Sequence, residues 1–341
     1  MTIHHILRSA LFGSTALLAG ASGVLAAEVN IYTSREPALV QPLLDAFTAE
    51  TGVKVNTVFL KDGLAERVAA EGASSPADIL MAVDVGNMAD LVDKDLTQPI
   101  ESKAVLDAVP ATLRDPGNQW VALSMRARVV YAAKDLDLDA ITYEDLADPK
   151  WKGKLCIRSG QHPYNTGLFA AYLAHHGVDA TETWLTGLKA NLARKPGGGD
   201  RDGAKDILGG ICDIAVANSY YVGLMRSNEK EPEQKAWGEA IKVLLPTFEG
   251  GGTHVNISGA ALAKNAPNKA EAVQLLEYLL SEPAQKIYAQ ANFEYPVTAG
   301  AELSPVVASF GPLNIDTLPL TDVVKNRKEA SALAEKVGFD N

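Results

Sequence analysis

Val29-Asn30-Ile31-Tyr32 opens the stretch that decides the fold. Its apolar, β-branched character reads as a strand. Leu39, Val40, Leu43, Leu44 and Phe47 then recur at helical spacing, and Gly52 ends that helix. Val53 to Phe59 alternates as a strand, Leu64 to Glu71 returns to helical periodicity, and Asp78 to Val83 is a short apolar strand. The order β-α-β-α-β predicts a mostly parallel sheet covered by helices on both faces, an α/β architecture. Sheets of this kind bind ligands beyond the carboxyl ends of their strands.

The pattern repeats further along. Strands are expected near Val129–Ala132, Leu155–Arg158 and Asp213–Val216, with helices around Thr166–His176, Asp179–Ala193, Lys269–Leu280 and Pro283–Ala291. A chain of 341 residues suits two lobes better than one core. Ser124–Val129 and the glycine run Gly250-Gly251-Gly252 read as crossings between them. The expected division is residues 28–126 plus about 250–297 for an N-terminal lobe, and 127–249 plus about 298–341 for a C-terminal lobe. No internal repeat or low-complexity segment interrupts this plan.

Ahead of it, His4, His5 and Arg8 precede an apolar, small-residue run from Ser9 to Leu25 that exits through Ala26-Ala27. A polar head, apolar middle and small-residue exit make residues 1–27 a secretory signal, with the mature chain beginning near Ala27 or Glu28. No cysteine follows the exit to carry a lipid anchor, and no later apolar stretch is long enough to span a bilayer. The net charge of −11 and the 6% aromatic content argue against a nucleic-acid partner, which calls for a basic surface. In an oxidising compartment the two cysteines, Cys156 and Cys212, suggest one disulfide; the alternative is two buried thiols.

The sharpest local feature is Asn218-Ser219-Tyr220-Tyr221. It follows the predicted strand and precedes the helix-like Val222–Arg226. Neighbours on a strand point to opposite faces, but at a strand-to-helix turn their side chains can converge. Paired phenolates would suit a hard, highly charged cation such as Fe(III). A third candidate, Tyr164, also sits between a strand and a helix, in Arg158-Ser159-Gly160-Gln161-His162-Pro163-Tyr164-Asn165. Each tyrosine taken alone is better explained as packing.

Several ordered motifs add to this reading: Tyr32-Thr33-Ser34-Arg35, Ser75-Pro76-Ala77-Asp78-Ile79-Leu80, and Trp120-Val121-Ala122-Leu123-Ser124-Met125-Arg126. They continue with Tyr143-Glu144-Asp145-Leu146-Ala147-Asp148-Pro149, Ala217-Asn218-Ser219-Tyr220-Tyr221, His254-Val255-Asn256-Ile257-Ser258-Gly259 and Asn292-Phe293-Glu294-Tyr295-Pro296-Val297. Through them the chain resembles the periplasmic ferric-ion-binding proteins of bacterial iron ABC importers, over essentially the whole mature length. The resemblance implies a transferrin-like cleft between two α/β lobes and a monomeric receptor that hands Fe(III) to an inner-membrane ABC permease. It implies metal ligation by Tyr164, Tyr220 and Tyr221, with carbonate or another small anion held by Arg126. Arg128, two residues further on the same strand, is a second candidate for that anion.

Two positions depart from the family pattern. Where many relatives carry His four residues after the first-strand tyrosine, this chain has Glu36, followed by Pro37. Where many carry Glu, it has Val83. Either Glu36 serves as a hard carboxylate ligand, or three tyrosines with an anion complete the shell. The second form is favoured, with Glu36 on the opposite wall. Two other readings compete. A receptor of the same architecture for a polyamine, thiamine or a sugar phosphate would use aromatic walls with Asp or Arg. A tyrosinate-iron enzyme would typically need a His pair that the sequence does not offer. No nucleophile elbow, phosphate loop or His-Glu metalloprotease spacing is present.

Overall fold

The computed structural model describes residues 27–341, so the apolar N-terminal segment lies outside the described residues. Ten strands form one continuous, partitioned sheet: β1 (Glu28–Thr33), β2 (Lys54–Phe59), β3 (Ile79–Ala82), β4 (Thr97–Gln98), β5 (Val121–Ala133), β6 (Leu155–Cys156), β7 (Ile214–Asn218), β8 (Ile241–Leu244), β9 (Val255–Ala263) and β10 (Tyr295–Pro296). The order is β2-β1-β3-β9-β5-β7-β6, with β4 beside β9 and with β8 and β10 beside β5. The β2-β1-β3 and β6-β7 pairs are parallel. The long strands β5 and β9 run antiparallel to their neighbours.

The N-terminal β-α-β-α-β unit forms where its periodicity places it. Helix Pro37–Thr51 starts at a proline and ends on Gly52, whose φ of 72° lets its N–H reach the Thr48 carbonyl. Val40, Leu43, Leu44 and Phe47 are its buried stripe, each burial contributing on the order of 1.5–3 kcal/mol. Leu39 leaves that stripe and faces the cleft.

β5 links the two lobes. Val121–Ala127 pairs with β9, and from Arg128 onward the strand pairs with β7 and β8. Side chains alternate across it: Val129 and Tyr131 join one apolar cluster, Val130 and Ala132 the other. The glycine run Gly250-Gly251-Gly252 is not loose at its last residue. A Cβ on Gly252 would lie 2.4 Å from the Asp316 nitrogen, because the next residue, Thr253, donates its N–H to the Asn314 carbonyl and accepts at its own carbonyl from Asp316 N. Glycine is required there by close backbone approach.

Helix Leu320–Lys336, which the sequence reading did not anticipate, packs on helix Pro163–His176 and on helix Val85–Asp93. Its Arg327 pairs with Asp84 at 2.8 Å. Asp84 also caps its own helix through Gly86 N and accepts from Asn256 Nδ2. Cys156 and Cys212 are bonded to each other and fasten β6 to the turn before β7.

Candidate functional site

A cavity of about 310 Å³ opens between the lobes. Tyr164, Tyr220, Tyr221 and Arg126 line it, and Glu36 and Val83 face it from the N-terminal side. Five of the six candidate ligand and anion-binding residues, all but Arg128, thus share one wall or its opposite.

Local structure explains the convergence. β7 is fully buried and ends at Asn218. The turn that follows is pinned to β5 at the lobe crossing: Ser219 N donates to the Ala127 carbonyl, and Ala127 N donates to Ser219 Oγ. The Tyr131 hydroxyl donates to the Asn218 carbonyl at 2.7 Å. Helix Tyr220–Arg226 begins at once, so the two tyrosines share its first turn, with ring centres 4.1 Å apart.

Tyr164 enters from another element, as the second residue of helix Pro163–His176. His162 caps that helix, its Nδ1 accepting from Tyr164 N at 3.2 Å. Burial, helped by the Arg158 charge, pushes the His162 pKa down to about 4, leaving a neutral ring able to accept.

Burial keeps the phenols of Tyr220 and Tyr221 protonated in the absence of a cation. Burial raises the Tyr220 hydroxyl well above the ordinary tyrosine range; Tyr164 and Tyr221 add to this and Arg126 opposes it. Tyr221 is also raised, chiefly by burial and then by Tyr164 and Asp200. Both rings are therefore neutral phenols when no cation is bound, and ionising them calls for a concentrated positive charge.

Arg126 is 2% exposed and donates to Ser258 Oγ at 3.0 Å, while its Nε and Nη2 have no protein acceptor. Buried guanidinium N–H groups aimed nowhere else suit an anion. Arg128 differs. It is absent from the cavity lining, and its guanidinium is committed to Asp200 (2.7 Å), Asn165 (2.6 Å) and Asn218 (3.1 Å). Same-face spacing on β5 makes it a second candidate for the anion; in the structure buried carboxylate and amide groups on three other elements engage its guanidinium.

Glu36 is exposed at the start of helix Pro37–Thr51 and makes no capping hydrogen bond, which leaves its carboxylate free at the cavity edge. Among the described residues no group of three or more His, Cys, Asp or Glu is arranged to hold a metal. The three phenols share the cavity lining with the carboxylates of Glu36, Asp62 and Glu294.

Two further arginines line the cavity. Arg35 pairs with Glu294 at 2.9 Å and donates to Ser258, the hydroxyl that also serves Arg126. Arg201 lies over the Tyr221 ring, 5.1 Å from its centre. Arg35 directly precedes Glu36 at a strand-to-helix turn, a signal available in the sequence. Arg201 carries no such signal.

A two-lobed α/β chain with a ligand cleft at the lobe crossing defines the class of periplasmic binding proteins. Residues 32–286 match the family model described as bacterial extracellular solute-binding protein, and the chain belongs to that family, one of binding proteins rather than enzymes. It is 41% identical over 315 residues to iron uptake protein A1 of Synechocystis sp., covering 92% of this chain and 87% of that protein. Among solved structures, it is 65% identical to a Bordetella ferric binding protein, with a TM-score of 0.88 over 92% of this chain and 100% of the other. It is 41% identical to a Trichodesmium FutA solved in complex with iron and citrate ligands, with a TM-score of 0.87 over 92% and 99% of the two chains.

Proposed function

We propose that this chain captures Fe(III) in its cleft through Tyr164, Tyr220 and Tyr221 and delivers it to an ABC importer. The observation that carries the reading is the convergence of three phenols, from two helix starts, on one cavity beside a buried arginine with free N–H groups. Three phenolates neutralise a 3+ ion, and a hard oxygen shell matches Fe(III). A small anion, carbonate or a carboxylate, completes the shell and pairs with Arg126. Glu36 closes the cavity from the facing lobe. The relatives named for iron support this cargo over an organic ion.

Capture works by lobe closure. The lobes, residues 28–126 with about 250–297 and residues 127–249 with about 298–341, rotate about the strands that cross between them, and the cargo bridges both walls. The permease recognises the closed form. The family name places solute-binding proteins outside the cytoplasm. We assign this one to the periplasm, released as a monomer after loss of residues 1–27. No helix among the described residues is long and apolar enough to cross a membrane.

Colour provides the test. Adding Fe(III) to the purified protein gives a visible phenolate-to-iron band, and Tyr220→Phe combined with Tyr221→Phe removes it. A band that persists in the double variant refutes the ligand assignment. Identical apo and iron-loaded scattering profiles refute closure.

A further inference from the structure

Among the described residues three non-glycine positions adopt left-handed backbone, Asp95, Asn118 and Phe293, each with φ 57°. Aspartate and asparagine tolerate that region through local hydrogen bonds. A phenylalanine enters it only where its surroundings dictate the geometry. The residues on either side of Phe293 supply the hold. Asn292 Nδ2 donates to the Leu39 carbonyl at 2.8 Å, and Glu294 N donates to the Tyr288 carbonyl at 3.1 Å. The Glu294 carboxylate accepts from Arg35 at 2.9 Å and from the Ser124 hydroxyl at 2.6 Å. Arg35 and Leu39 flank Glu36 in sequence, so Phe293 is anchored to the wall that faces the tyrosines.

Its ring meets the helix of the tyrosine pair. A Cβ on Gly223, the fourth residue of helix Tyr220–Arg226, would lie 2.1 Å from Phe293 Cγ and 2.7 Å from Phe293 Cβ. Gly223 does not have a positive φ. What requires glycine there is the close approach of the ring to the helix backbone. Residues three apart share a helix face, so the ring bears on the face that begins with Tyr220. Leu224, beside Gly223, lines the cavity.

Resting on the tyrosinate-iron reading, we propose that Phe293 is a positioning residue for Tyr220 and Tyr221. Its ring seats their helix through Gly223 and sets where the two phenols stand relative to the wall that bears Glu36. The strained backbone at Phe293 aims the ring across the cleft.

The experiment loads the full mature protein with Fe(III) and reads two quantities, the position of the visible phenolate-to-iron band and the rate of iron loss to a synthetic aminocarboxylate chelator. Phe293→Gly keeps the left-handed turn without strain and removes only the ring. It shifts the band and speeds iron loss about fivefold or more, within the range of coupling between residues in contact. Gly223→Ala, whose methyl group meets the ring, shifts the band as well. Adding Phe293→Gly to Gly223→Ala makes room for the methyl group, and the double variant loses iron no faster than Phe293→Gly alone. Phe293→Gly carries the test by itself should Gly223→Ala fail to fold. A lowered melting midpoint in Phe293→Gly with an unchanged band and unchanged iron loss shows packing alone and overturns the proposal, as does a Gly223→Ala defect that persists in the double variant. Both results leave the tyrosinate site intact. A wild-type protein with no visible band overturns both readings.

Discussion

Arg128→Met tests the scaffold behind the cleft. Arg128 is 2% exposed, and its guanidinium ties four segments together: Asp200 at the start of one helix, Asn165 beside Tyr164, and Asn218 two residues before Tyr220, all from β5. Methionine keeps most of the apolar stem and removes the charge and its donors. Asp200, with its side chain fully buried, then keeps only Arg158 at 3.2 Å and the Asn218 N–H. Breaking one side of a buried pair costs 3–5 kcal/mol when the remaining charge is stranded, and these residual partners place the loss near the lower bound, about 3 kcal/mol. Equilibrium denaturation of the oxidised apo protein measures it as a lower midpoint at unchanged slope. Iron affinity falls with it, because Asn165 and Asn218 set where Tyr164 and Tyr220 begin. A stability loss under about 1 kcal/mol with unaltered iron binding would show that the network neither stabilises the lobe nor positions the tyrosines.

Replacing both Cys156 and Cys212 with Ala opens a loop spanning 56 positions; chain entropy puts the loss at about 4 kcal/mol, readable by the same denaturation. A second expectation concerns His254, buried in β9's approach, with Asp316, Arg128, Asp84 and His175 as its charged neighbours. Burial lowers its pKa to about 4, whereas an unfolded imidazole takes up its proton near 6.5. Between those values the unfolded chain binds more protons, so stability falls as pH drops through this window, by roughly 3 kcal/mol in all. His254→Gln flattens that limb of the pH–stability curve, and an unchanged limb assigns the acid sensitivity to other groups.

The sequence by itself determined the α/β class, the N-terminal unit and the elements that carry the three tyrosines. These are written in local periodicity: the Val40–Phe47 stripe and Gly52 define a helix whatever lies around it. The strand-to-helix position of Asn218-Ser219-Tyr220-Tyr221 was legible for the same reason. Helix Leu320–Lys336 was not, because its apolar stripe is sparse and its burial comes from packing on helices distant in sequence. The full length of β5 was also hidden, since its continuity through Ser124 and Arg126 rests on partners in β9.

Only the tertiary structure decided which charges are free. Arg126 and Arg128 are indistinguishable as two same-face residues of one strand. Their roles separate because Asp200, from a remote helix, neutralises one and leaves the other beside the phenols. A guanidinium is open to a ligand only when no carboxylate of the fold reaches it, and that depends on distances between elements far apart in the chain.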